Sequence, residues 1–118
     1  VSLTGEQAYR EFNFAPSGAW AAYVFQAYRV AGQSGEIGSA PRITVHGTSD
    51  TLELNAVVGR DGLPAMMPGA RLKLALCAVI EEDGGRLSYW ALNHPPGKPD
   101  FHHPDSFALE IGPLDEEL

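Results

Sequence analysis

The sequence predicts an all-β fold, an antiparallel β-sandwich. Three observations predict it. Apolar residues alternate with period two in run after run. The 13 glycines and 9 prolines fall mainly between those runs. Amphipathic runs at the 3.6-residue spacing of a helix are nearly absent.

The runs come in order along the chain. Ala8–Phe14 alternates and is rich in aromatic residues, and Ala19–Arg29 is long and strand-like. Pro41–His46 is short. Asp50–Val58 places Leu52, Leu54, Ala56 and Val58 on one face and Thr51, Glu53, Asn55 and Val57 on the other. Arg71–Glu82 reads as one long strand with Leu72, Leu74, Leu76, Ala78 and Ile80 on one face. Arg86–Asn93 and Ser106–Ile111 complete seven predicted strands, a pattern of short strands and turns typical of sandwiches and barrels. Between them, Ala31–Ala40 is expected to be a mobile Gly/Ser-rich loop. Leu63–Ala70 is expected as an irregular connection with one short helical turn, and Leu114–Leu118 as a solvated acidic tail.

A chain of 118 residues is within the size of one domain and can bury roughly 60–70% of its unfolded surface. Apolar residues make up 44% and charged residues 19%, the balance of a globular chain. Cys77 is the single cysteine, so there is no disulfide framework; this allows a reducing compartment such as the cytoplasm, which is favoured, without fixing it. No run approaches ~18 unbroken apolar residues, and the first residues show no secretory signal. The net charge of −7 argues against nucleic acid as a partner.

Two hairpins decide which side chains share a face. Ala15-Pro16-Ser17-Gly18 is a turn signal. A four-residue loop there pairs Phe14 with Ala19, Asn13 with Trp20 and Glu11 with Ala22. One face then carries Phe12, Phe14, Ala21, Tyr23 and Phe25 as core, and the other carries Trp20 beside Glu11 and Asn13. An aromatic plate next to convergent polar groups is the chemistry of a sugar platform. The competing reading packs Trp20 under a neighbouring loop. The second hairpin turns at Asp83-Gly84-Gly85. A three-residue loop sets Glu82 opposite Arg86, Ala78 opposite Trp90 and Val79 opposite Tyr89. A two-residue turn would slip the register by one, and the charge pair favours the longer loop. Both faces of this hairpin are apolar, so something must cover the second.

The stretch His94-Pro95-Pro96-Gly97-Lys98-Pro99-Asp100-Phe101-His102-His103-Pro104-Asp105 is stiffened by four prolines. Its histidines and aspartates invite a metal reading. Adjacent His102 and His103 point oppositely in an extended chain, however, and no metal motif is present. A binding loop and a structural cover loop are the remaining readings.

The segment from Tyr9 to Tyr23, the Tyr28-Arg29 pair, Tyr89-Trp90-Ala91-Leu92 and the proline–histidine stretch together resemble the bacterial DOMON-like domain proteins, relatives of the family 9 carbohydrate-binding modules. The resemblance implies a β-sandwich with a ligand cleft on one sheet, where aromatic rings sandwich a sugar and polar side chains bind its hydroxyls. It also implies that Arg10 and the Lys98–His103 loop contribute, although strand alternation puts Arg10 on the phenylalanine face. The members compared have further strands before the position of Tyr9, so the sandwich is expected to be incomplete. Open strand edges and doubly apolar strands then predict a homodimer.

The expected function is therefore non-catalytic binding of a glycan or similar small molecule, with Glu11, Arg10, Asn13, Trp20, Tyr89, Lys98, Asp100, Phe101 and His102 as ligand contacts. No nucleophile with an adjacent base is visible, and Cys77 lies in an apolar run, so no enzyme is expected. No cofactor is expected. The alternatives are a haem- or metal-binding DOMON-type domain, with Met66, Met67 or His94 as haem ligands, or a purely structural domain.

Overall fold

The computed structural model describes residues 1–32 and 37–114. The loop expected over 31–40 lies partly outside the described residues, and the acidic tail lies outside them from residue 115. The prediction of an antiparallel, all-β chain holds. The strands are β1 (Ser2–Leu3), β2 (Tyr9–Phe14), β3 (Trp20–Ala27), β4 (Val30–Ala31), β5 (Arg42–Gly47), β6 (Leu52–Val57), β7 (Leu72–Leu74), β8 (Cys77–Glu81), β9 (Leu87–Ala91) and β10 (Leu109–Ile111). Hydrogen bonding joins them into a six-stranded sheet, β10-β7-β1-β2-β3-β4, and two two-stranded sheets, β5-β6 and β8-β9. Helix among the described residues is confined to 3-10 turns at Arg60–Gly62 and Pro104–Ser106. No helix there is long and apolar enough to cross a membrane.

The hairpin β8-β9 has the three-residue loop. Cys77 lies opposite Ala91, Ala78 opposite Trp90 and Val79 opposite Tyr89. The Glu82 N–H donates to the Arg86 carbonyl at 2.8 Å, and the two side chains form an exposed ion pair at 3.7 Å. The hairpin β2-β3 corrects the expectation by one residue. Phe14 pairs with Trp20, Asn13 with Ala21 and Glu11 with Tyr23. Ala15, expected in the loop, donates its N–H to the Ala19 carbonyl at 2.9 Å and continues the ladder. The loop shrinks to Pro16-Ser17-Gly18, with Gly18 at φ 89°. Because side chains alternate, this slip moves Trp20 to the face of Arg10, Phe12 and Phe14. Glu11 and Asn13 lie on the opposite face, with Tyr9, Ala21, Tyr23 and Phe25.

Three further departures have local causes. The long run to Arg29 ends at Ala27, where Tyr28 and Arg29 turn the chain back into β4. Arg29 takes φ 54°, a region most side chains avoid. The run Arg71–Glu82 divides at Ala75-Leu76. Leu72–Leu74 lies between β1 and β10, while Cys77–Glu81 leaves to pair with β9. The helical turn expected within Leu63–Ala70 forms earlier, at Arg60–Gly62, where the Leu63 N–H closes it on the Arg60 carbonyl. Ser2–Leu3, too short to show a period, forms a strand because β2 and β7 offer it edges on both sides.

The buried large apolar side chains among the described residues are Tyr9, 5% exposed, and Leu72, 6% exposed. Each sits on a strand with neighbours on both sides, Tyr9 facing Phe25 and Leu72 lying between Leu3 and Ile111. The accessible surface is 8384 Å². A folded monomer of this mass averages about 6,200 Å². The radius of gyration is 15.3 Å, against about 13.5 Å for a compact domain of this length. Trp20, Tyr23, Leu76, Val79, Ile80, Leu87, Trp90 and Leu92 are all exposed.

Candidate functional site

The proline–histidine loop lies across the Tyr9 face of β2-β3. Tyr9 and Phe25, directly opposite on adjacent strands, stack at 4.8 Å and 11°. His102 meets Phe25 edge-on at 5.0 Å and Tyr9 at 5.8 Å. Phe107 meets Tyr9 edge-on at 5.7 Å. The polar atoms of this cluster are paired. The Arg29 N–H donates to the Tyr9 hydroxyl at 3.1 Å, and that hydroxyl lies 2.8 Å from His102 Nδ1. The other ring nitrogen of His102, Nε2, faces Glu11 Oε2 at 3.6 Å. Burial pushes the Tyr9 phenol above its ordinary value, which keeps it a neutral donor.

Asp100 fastens the loop. Its carboxylate accepts from the Tyr28 hydroxyl, from the Arg29 guanidinium at 3.0 Å and from the His102 N–H at 3.0 Å. Ser106, 1% exposed, donates its hydroxyl to the Asp100 carbonyl at 2.9 Å. Farther along, Asn93 donates to the Asp105 carbonyl, and the Asp105 N–H donates to His103 Nδ1. These contacts also hold Arg29 in its left-handed conformation, which the local sequence does not favour. Burial pushes the Asp100 carboxyl up, and the hydrogen bonds from Tyr28, His102 and Arg29 outweigh it, so its pKa lies below the ordinary value.

A depressed carboxyl pKa contributes stability above the unfolded value of about 3.9, and that stability is lost as pH falls through the lower folded value. Below about pH 4 the loop is expected to loosen before the sheet unfolds. The readout is the exchange protection factor of the His102 amide, corrected for the intrinsic rate. Asp100→Asn should reproduce the loosening at neutral pH, at a cost of about 1–2 kcal/mol given the partial exposure of the pair. Unchanged protection in that variant would show that the carboxylate does not hold the loop.

Beside this cluster opens a half-open pocket of about 460 Å³. Its lining includes the aromatic residues Tyr9, Tyr28 and Phe107 and the polar residues Ser2, Glu6, Gln7, Lys73 and His102. β1 and the Gly5–Gln7 turn form one side, and the corner at Ala27-Tyr28 forms another. No family model, curated protein or solved structure matches this chain. The pocket is therefore read from its own chemistry.

Of the predicted ligand contacts, His102 lines the pocket. Glu11 lies beside His102 and accepts from the Asn13 amide at 3.2 Å. Asp100 fastens the loop. Trp20 is on the other face of the sheet, 41% exposed, so the expected platform of Trp20 with Glu11 and Asn13 does not form. Arg10 shares the Trp20 face, as strand alternation requires, and donates to the Gly62 carbonyl at 2.8 Å. Tyr89 approaches Phe101 at 6.3 Å, and Phe101 approaches His94 at 6.2 Å. Lys98 is exposed on the loop, next to Gly97. Among the described residues, no group of three or more His, Cys, Asp and Glu could hold a metal ion. Glu6, Gln7, Tyr9, Tyr28, Lys73 and Phe107 also line the pocket and were not among the predicted contacts. Of these, Tyr9 and Tyr28 fall in stretches that the sequence singles out.

Proposed function

We propose that this chain is a non-catalytic carbohydrate-binding module of the DOMON-like type, a β-sandwich whose site is the pocket beside the proline–histidine loop. The observation that carries the reading is the joint presence of three aromatic and five polar residues around about 460 Å³ of open volume. Sugars offer apolar C–H faces to rings and a rim of hydroxyls to donors and acceptors. A mostly apolar concavity with a few polar groups suits that combination. Tyr28 presents its ring, Lys73 supplies donors, and Glu6 and Gln7 supply acceptors. The loop contacts fix Tyr28 before any ligand arrives, which lowers the ordering cost of binding. The resemblance of the Tyr9–Tyr23 segment and the proline–histidine stretch to DOMON-like domains supports the same reading.

A glycan array, followed by calorimetric titration of the sugars it retains, tests the proposal. Affinities on the order of micromolar to millimolar are expected. Gln7→Ala and Lys73→Met should each weaken binding about tenfold, the effect of losing roughly 1.4 kcal/mol of contact. Trp20→Ala, on the other face, should leave affinity unchanged. An empty array, or retained sugars whose affinity follows Trp20 and ignores Lys73, would reject this site.

A further inference from the structure

We propose that β9 pairs antiparallel with β9 of a second copy of this chain, with Tyr89 opposite the partner's Tyr89. The argument starts from the hairpin β8-β9, which bonds to no other strand among the described residues. A lone two-stranded hairpin is marginal in water. Here it also exposes apolar side chains on both faces, with Leu76, Val79, Ile80, Tyr89, Trp90 and Leu92 between 44% and 62% exposed. The surface of the whole chain exceeds that of an average monomer by about 2,000 Å². A standard interface removes about 800 Å² from each partner. The excess over the whole chain is thus larger than the share that one partner of a standard interface buries.

The edges of the hairpin are not equivalent. β8 ends on Glu81 and runs on into Glu82 and Asp83, and charged residues on an edge discourage pairing with another strand. β9 and the Leu92 that follows it carry no charge, no proline and no bulge, so this edge lacks the usual devices that block edge pairing. Bonds at Glu82–Arg86 and Leu92–Leu76 show that the even-numbered residues of β9 face β8. Antiparallel ladders alternate, so the N–H and C=O groups of Leu87, Tyr89 and Ala91 point outward. A two-fold axis at Tyr89 sets Tyr89 opposite the partner's Tyr89 and Leu87 opposite the partner's Ala91. In that register all six outward groups of each strand find partners. The net charge of −7 per copy opposes association, and the uncharged edge is where that repulsion is least. A second copy therefore offers a neutral, register-matched edge.

The test uses the whole chain and sedimentation equilibrium over micromolar to millimolar concentration, together with two variants. Tyr89→Pro removes an outward N–H and leaves the bonds to β8 in place. Leu87→Lys puts a charge on the edge and guards against misfolding of the proline variant. Each should weaken dimerisation at least a hundredfold while the circular dichroism spectrum stays that of the parent. In a Cys77→Ser background, Tyr89→Cys should form an interchain disulfide under mild oxidation, because directly opposed residues lie about 5.5 Å apart. Asp50→Cys, on the remote hairpin, should not. A parent that stays monomeric would overturn the proposal. So would a dimer unaffected by Leu87→Lys, or equal crosslinking at the two positions.

Discussion

Replacing Tyr9 with alanine is expected to destabilise the fold by about 3–5 kcal/mol. That is a large share of the 5–15 kcal/mol typical of a whole domain. The ring is 5% exposed and touches Phe25, His102 and Phe107, so its removal opens a cavity where the sheet meets the proline–histidine loop. Tyr9→Phe keeps the ring and removes the hydroxyl, leaving the Arg29 N–H and His102 Nδ1 without that partner. A smaller cost of about 1–2 kcal/mol is expected. Urea melts of the parent and both variants give the two numbers. A Tyr9→Ala cost below about 1 kcal/mol would mean that the ring is not the keystone of the packing, since buried aromatic truncations cost several times more.

Gly38→Ala is expected to cost about 2–5 kcal/mol, from two additive sources. The backbone there has φ 68°, which a Cβ strains. The new carbon would also stand 2.6 Å from the Asp61 carbonyl carbon and the Gly62 nitrogen, and neither is the end of a flexible side chain. The chain at 37–39 would have to lift away, breaking the Ser39 N–H and hydroxyl bonds to Asp61. Gly84→Ala separates the two sources. Its φ of 96° is equally unsuited to alanine, yet nothing lies within 4 Å of the added carbon. Thermal melts should show Gly38→Ala as clearly the more damaging. Equal losses would mean that backbone strain alone sets the cost.

The two long hairpins show what the sequence could and could not specify. At β8-β9, the opposite charges of Glu82 and Arg86 and the glycine at the third loop position agree on one register, and that register forms. At β2-β3, the turn tetrapeptide does not say whether Ala15 belongs to strand or loop. Gly18 at the third loop position, matching Gly85, was the usable signal. Both glycines take positive φ in loops of equal length. The turn at Tyr28-Arg29 carries no glycine, asparagine or proline, because its unusual backbone is held by Tyr9 and Asp100, distant in sequence. For the same reason the pocket was hidden. Gln7, Tyr28, Lys73 and Phe107 belong to four separate segments, drawn together by the pairing of β1 with β2 and β7 and by the contacts of the proline–histidine loop with Tyr28 and Tyr9. The division at Ala75-Leu76 left no mark, since apolar alternation runs straight through it.

That pairing of β1 also orders events in time. The hairpins β2-β3, β5-β6 and β8-β9 each join neighbours in sequence, and such units form within roughly 1–10 μs. Setting Ser2 against Lys73, and Lys73 against Glu110, requires closing loops of roughly 70 and 35 residues, whose entropy must be met before the contacts form. Closure of the central sheet is thus the slow step, and the wall of the pocket bearing Ser2 and Lys73 is assembled in it. In a molecule whose central sheet is still open, the pocket lacks the wall that β1 and β7 supply. Occupancy of the cavity would therefore slow reopening of β1 and leave the exchange of the hairpin amides unchanged.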